Sequence, residues 1–284
     1  MSSKILNKFL VLGSTGGSGI ELVNLLISKG KSVSIVVRNK TKAKTIFKEN
    51  YEKIYQVIEY ELGLSQINCE VDPVYNHQFL EALNWCDVLI SSLGTPYGQS
   101  PQQCDYMAVS DLLKHCKKAD NQFMDKQIVY ISTMYITRPY SFVAFFLNSL
   151  MSNVMGWKAL AENLIRQSGI NYLIVRPGGL TNTKTPLTVD VQQGDKGKGR
   201  ISRFNLANMI LHSLSDVNLN KGKVTVEVIE KFSYNNTIEI NKSILLDDES
   251  SLITVDHFRT TRNYTAVIYT ILTVLVIGLI WKLK

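Results

Sequence analysis

Short apolar runs alternate with helical stretches through the first 230 positions of the chain. The segment "KFLVLGS" is a leucine and valine run that ends in glycine, and residues 19–29 are helical in composition and closed by Gly30. "KSVSIVVR" is the next strand, and "WCDVLISSLG" a later buried one that ends on small residues. "DYMAVSDLLKHCKKA" reads as an amphipathic helix, followed by the strand "KQIVYIST". "WKALAENLIRQSG" is a helix stopped by Gly169, and it leads into the strand "NYLIVRPGG". Strands that are apolar throughout, with helices between them, belong in a sheet covered on both faces. The pattern therefore predicts an α/β fold, a doubly wound parallel sheet (Rossmann-like), as a single domain over residues 1–230.

Beyond about Ile229 the alternation fails. Residues 231–263 are polar and rich in Asn, Ser and Asp, the composition of a linker. Residues 264–281, "YTAVIYTILTVLVIGLIW", hold no charge and are bracketed by Arg262 and Lys282. At ~1.5 Å per residue they reach about 27 Å, close to the hydrocarbon thickness of a bilayer. With Tyr264 and Trp281 at the two ends, this stretch is expected to be a C-terminal transmembrane helix, a tail anchor. No secretory signal or cleaved presequence is expected ahead of the first strand. The expected location is a membrane of the mitochondrion or endoplasmic reticulum, with the domain on the cytosolic or matrix side. Three N-glycosylation sequons, at Asn235, Asn241 and Asn263, are read as chance. The segment "FVAFFLNSLM" is too short to span a bilayer; it is either a helix over the active cleft or a contact with a membrane or partner.

Composition narrows the classes. The formal charge of +7 suits an anionic cofactor or lipid surface, and no aromatic-basic RNA signature or zinc-finger spacing accompanies it, so no nucleic-acid partner is expected. Cys69, Cys86, Cys104 and Cys116 fit neither a metal knuckle nor a disulfide framework.

The candidate chemistry starts at "GSTGGSGI". Gly13, Gly16 and Gly19 form G-x-x-G-x-x-G after a strand and at the start of a helix. Such a turn brings backbone close to a pyrophosphate, and the helix N-terminus offers it free N–H groups and partial positive charge. Gly13, Thr15, Gly16, Gly17, Ser18, Gly19 and Ile20 are the expected phosphate cradle. About twenty residues on, where NAD-selective proteins carry a carboxylate, stands Arg38 in "VVRNKTKAK", with no acid near it in sequence. A guanidinium can grip a 2′-phosphate through two bonds, so NADP(H) is expected over NAD(H).

With these motifs the chain resembles the atypical short-chain dehydrogenase/reductase family, an NAD(P)H-binding group, across nearly all of residues 8–230. "LNWCDVLISSLG" is similar to the family's fourth strand, "WKALAENLIRQSGINYLIVRPGGL" to its lysine, Ala-Glu, Ser-Gly and Arg-Pro-Gly stretch, and "GRISRFNLANMILHSL" to its late isR-x-D-x-A segment, with Asn205 for the usual Asp. Flavin/biliverdin reductase-like proteins and cofactor-holding organelle members are similar in style. The resemblance implies that Lys158 hydrogen-bonds the nicotinamide ribose and that Pro177 and Gly178 line the nicotinamide pocket. It also implies that Ser92, Leu93 and Gly94 pass beside the cofactor, and that Ser132 and Thr133 occupy the place of the active hydroxyl, with Met134 there in an alternative register. Lys158 and Thr133 are the catalytic candidates.

One departure matters. The family's tyrosine lies four residues before the lysine, on the same helix face, where the ammonium readies it as a proton donor. Here that position is Val154. Two functions stay open: an oxidoreductase that passes hydride to a flavin, quinone or similar conjugated acceptor, or a non-catalytic NADP(H)-holding accessory or assembly subunit of a membrane complex.

Overall fold

The computed structural model of the 284-residue chain describes residues 6–63, 76–96, 98–119, 126–216, 219, 222–231, 237–240, 244–248, 251–253 and 274. Its strands are β1 (Lys8–Leu12), β2 (Ser32–Val37), β3 (Gln56–Glu59), β4 (Val88–Ser91), β5 (Gln127–Ile131), β6 (Asn171–Pro177), β7 (Gly179–Thr181), β8 (Thr188–Gln192), β9 (Arg200–Ser202), β10 (Lys223–Lys231) and β11 (Ile238–Ile240). The α-helices are α1 (Gly17–Ser28), α2 (Lys40–Phe47), α3 (His77–Trp85), α4 (Ala108–Lys118), α5 (Phe142–Leu150), α6 (Val154–Gln167) and α7 (Arg203–Ser213).

Alternation along each strand fills two cores. In β1, Phe9 and Val11 pack on one face against α1, α2 and α7, while Leu10 and Leu12 pack on the other against α3, α4 and α6. Each large apolar side chain buried this way contributes about 1.5–3 kcal/mol, and a strand that feeds both cores has no wet side to mark with polar residues. The main sheet runs β11-β8-β10-β6-β5-β4-β1-β2-β3 and is parallel except where β8 pairs antiparallel with β10. A small second sheet joins β7 and β9. The expected doubly wound sheet is thus present, with two strands, β8 and β11, running opposite to the rest at one edge. Because β2 and β4 flank β1, the chain reverses direction across the sheet at β1, and a crevice opens at the carboxyl ends of β1 and β4.

Part of the stretch read as a linker folds onto this domain. β11 pairs parallel with β8, and the Ile253 amide donates to Asn163 Oδ1 at 2.9 Å. The expected transmembrane helix at 264–281 lies, apart from Val274, outside the described residues. Among the described residues no helix is long and apolar enough to cross a membrane.

Candidate functional site

The glycine turn links β1 to α1, and its residues are small for reasons visible in the geometry. Gly13 has φ +69°, and a Cβ there would lie 2.6 Å from the Ser92 carbonyl oxygen at the end of β4. A Cβ on Gly19 would run into the Gly13 carbonyl oxygen, so α1 can pack this tightly under the turn only with glycine. The Ser92 amide and hydroxyl both donate to the Leu12 carbonyl, at 3.0 and 2.8 Å, which fixes the β1 and β4 ends as neighbours. Gly16 caps α1 with no side-chain hydrogen bond, leaving the first amides of the helix open.

A cavity of about 460 Å³ lies over this crevice. Of the expected cofactor residues it is walled by Gly13, Thr15, Gly16, Arg38, Ser92, Leu93 and Gly94; Gly17, Ser18, Gly19 and Ile20 start the helix beneath it. Arg38 follows β2 directly, and its Nη1 donates to Gln99 Oε1 at 3.1 Å. The sequence shows no acid beside Arg38, but strand order supplies one. β3 neighbours β2, and Glu61 beyond its end brings Oε1 to 3.9 Å from Arg38 Nη1. Both side chains are about half exposed, so water screens this pair strongly. Tyr60, Gln99 and Cys104 are further wall residues that local pattern did not single out. Burial pushes the Cys104 thiol up from its ordinary value, which keeps it protonated.

The residues expected around the nicotinamide are arranged differently. Ser132, Thr133, Lys158, Pro177 and Gly178 are not in the wall of this cavity. Thr133 is half-buried, and its hydroxyl donates to the Met134 carbonyl at 3.3 Å; Ser132 and Met134 are buried. The Met134 amide donates to the Pro177 carbonyl at 3.1 Å, and the Gly178 amide to Val228 at 3.0 Å. Lys158 Nζ pairs with Asp105 Oδ1 at 2.8 Å and lies 5.7 Å from the centre of the Tyr130 ring. Burial works against the ammonium, but the Asp105 carboxylate outweighs it and holds Lys158 above the usual lysine range. Asp105 is fully buried and also accepts from Thr95 Oγ1 at 2.6 Å. It stands in a π-helical turn (Gln102–Met107) that runs into α4, where the helix widens and redirects its side chains. Val154 is packed with Ile136, Ala144, Met155 and Ala159 in an apolar cluster, with Tyr135 half-buried against its edge.

The Ala-Glu and Arg-Pro-Gly stretch has a structural role that the sequence did not show. Glu162 of α6 accepts from Arg176 Nη2 of β6 at 2.7 Å and from Arg166 Nη1 at 2.9 Å. Arg176 Nη1 also reaches Glu227 of β10 at 3.1 Å, and Arg166 Nε lies 3.4 Å from Asp247. Burial alone would raise the Glu162 carboxyl, but Arg176, then Arg166, hold it at about 2. This network locks α6, the carrier of Lys158, onto the sheet.

Comparison with known proteins agrees with this architecture. The sequence model of a family described as NAD(P)H-binding matches residues 13–217. The chain is 27% identical over 251 residues to the chloroplast protein TIC 62 of Arabidopsis thaliana, covering 81% of this chain and 36% of that one. It is 28% identical over 212 residues to an uncharacterised chloroplast protein of the same plant, covering 73% and 71%. The chain thus spans about a third of the length of the first of these relatives. Among solved structures, it is similar to an NAD-dependent epimerase/dehydratase-like protein from Bacillus halodurans (TM-score 0.61, 20% identity, 78% of this chain and 94% of that one). It is also similar to a short-chain dehydrogenase/reductase from Veillonella parvula solved with NADP (TM-score 0.59, 16% identity, 82% and 99%). These likenesses show the fold. They also correct the expected location: both curated relatives are chloroplast proteins, neither mitochondrial nor of the endoplasmic reticulum, and no described helix supports a membrane span. With a glycine turn under a crevice at the strand reversal and a family match over most of its length, the chain belongs to the NAD(P)H-binding family.

Proposed function

We propose that this chain binds NADP(H) in the crevice between β1 and β4 and keeps it as a held ligand, without the tyrosine-dependent carbonyl reduction of related enzymes. The observation that carries the nucleotide choice is Arg38. It enters the cavity wall at the end of β2, with Lys42 beside it, where the adenosine ribose of a nucleotide on the glycine turn would lie. Glu61 moderates that positive charge without cancelling it, since its contact at 3.9 Å is exposed to water. The holding role is supported by the other end of the site. Val154 cannot donate a proton, Lys158 is committed to Asp105, and the Thr133 hydroxyl is spent on the Met134 carbonyl. A bound nucleotide then stabilises the fold by mass action and can report its own concentration to a partner. As part of the same reading, the chain is an accessory or assembly subunit of a larger complex.

A second reading is favoured by one observation. A hollow of about 250 Å³, lined by Thr95, Pro96, Gly98, Gln99, Leu150, Met151 and Ser152, shares Pro96 and Gln99 with the nucleotide cavity. It offers room for a flat conjugated acceptor, a flavin or quinone, that takes hydride from the cofactor and a proton from water. Calorimetry on the full chain tests the first step: NADPH binds more tightly than NADH, and Arg38→Gln removes the difference. Equal affinities in the wild type would refute the assigned role of Arg38. NADPH oxidation over a panel of flavins and quinones separates the readings, with no turnover above background expected for a holding protein.

A further inference from the structure

The spaced turn accounts for Gly13, Gly16 and Gly19 but leaves Gly17, the first residue of α1, unexplained. The structure gives a reason. A Cβ on Gly17 would lie 2.6 Å from Nε, 2.9 Å from Cδ and 3.3 Å from Cζ of Arg203. Arg203 opens α7, which packs along α1, and its guanidinium lies across the exposed backbone of Gly17.

That placement is electrostatically unusual. A helix N-terminus carries partial positive charge and is ordinarily met by Asp, Glu or an anion. The first turn of α1 has no acidic residue, and Glu21, the single acid of the helix, is paired with Lys184 at 3.6 Å. The partners of Arg203 Nη1 are neutral: Asn182 Oδ1 at 2.6 Å and the Thr181 carbonyl at 3.4 Å. Its Nε is buried and has no hydrogen-bond partner. The guanidinium thus lies against the first residue of the helix, just beyond the residues that wall the nucleotide cavity, and an anion held by the first amides of α1 would bring its oxygens toward both.

We propose that Arg203 is a pyrophosphate ligand of the nucleotide site, reaching across from α7 to close on the phosphates that the α1 amides hold from below. The inference rests on the proposed NADP(H) binding and adds a residue that neither the glycine turn nor the second strand supplies. Asn182 and Thr181 orient the guanidinium, and Gly17 provides the seat that lets it lie close to the helix end. Arg38 and Arg203 then divide the recognition: Arg38 reads the 2′-phosphate, and Arg203 grips the bridge common to both pyridine dinucleotides.

Calorimetry on the full chain with NADPH, NADH and adenosine 2′-monophosphate, which has a 2′-phosphate and no pyrophosphate, tests this division. Arg203→Gln is expected to weaken NADPH and NADH by the same factor, about tenfold to a hundredfold, and to leave adenosine 2′-monophosphate unchanged. Arg203→Lys keeps the charge but loses the fork, and restores part of the affinity. Gly17→Ala weakens NADPH in the wild type by unseating the guanidinium, and adds less than about twofold in the Arg203→Gln background. Wild-type affinity for NADPH in Arg203→Gln overturns the inference, as does an equal loss for all three ligands or a full further loss from Gly17→Ala in that background. If the wild type binds neither dinucleotide, the proposed function fails and this inference with it; tight wild-type binding with an unaffected Arg203→Gln sinks this inference alone.

Discussion

Glu162→Gln is the substitution that the structure makes most quantitative. The carboxylate is fully buried and faces two guanidinia, Arg176 at 2.7 Å and Arg166 at 2.9 Å. Its carboxyl is held at about 2 against an ordinary value of 4.5, a preference for the charged form of about 3 kcal/mol. Removing one member of a buried charge cluster costs about 3–5 kcal/mol, because the arginines stay buried with less compensation. Urea denaturation at pH 7 should therefore show Glu162→Gln less stable by about that amount, with an unchanged m value. The pH dependence carries the sign. A carboxyl whose folded pKa is depressed gives stability that is complete above 4.5 and is lost as pH falls from there through about 2. The wild type should lose its advantage over the variant across that window and nowhere at higher pH. A loss below about 1 kcal/mol at pH 7, far under the buried-pair cost, would refute the account of the cluster. So would a wild-type-minus-variant difference that does not shrink with acid.

Asp105→Asn should lower the Lys158 ammonium from its raised position, since the nearest counterion is gone and burial is then opposed by the Glu162 carboxylate; a ¹³Cε NMR titration reads the shift, and an unmoved pKa would show that Asp105 does not hold it. Gly19→Ala forces the turn away from the Gly13 carbonyl and should cost about 1–3 kcal/mol in urea together with a marked loss of NADPH affinity by calorimetry. Val154→Tyr overpacks the cluster around Ile136 and Ala144 and should also cost about 1–3 kcal/mol. It should give no NADPH-dependent carbonyl reduction in a spectrophotometric assay, because Lys158 stays paired with Asp105.

The central strands were readable because burial on two faces writes a continuous apolar run, as in Phe9 to Leu12, and a helix between runs forces a parallel crossover. The late strands were not. β8 carries Asp190 within a short alternating run, and β11 is three residues inside polar surroundings, so neither stands out from a loop. In the site, the glycine turn was legible because its constraint is local: a carbonyl or a strand end occupies the space of a missing side chain. Pairings made through space were not. Glu61 meets Arg38 through the order of β2 and β3, Asp105 reaches Lys158 across 53 positions, and Arg203 settles on Gly17 from a helix near the far end of the domain. The charges of Glu162 and Arg176 were visible as letters of a familiar stretch, while their role as a buried tie between helix and sheet needed the three-dimensional arrangement.

The acid at position 247 has a consequence for how this protein is made. Its carboxylate takes the Thr225 hydroxyl and amide, stands beside Arg166 and accepts from the Tyr172 hydroxyl at 3.1 Å, while Ile253 clips to Asn163 a short way on. A nascent chain released only as far as β10 still has a guanidinium without one of its counterions and an outer strand without its neighbour. The last of these ties can form only once residue 253 has been made, and expression fragments trimmed at the end of the repeating strand-helix rhythm should emerge as less stable species with an uncovered strand edge.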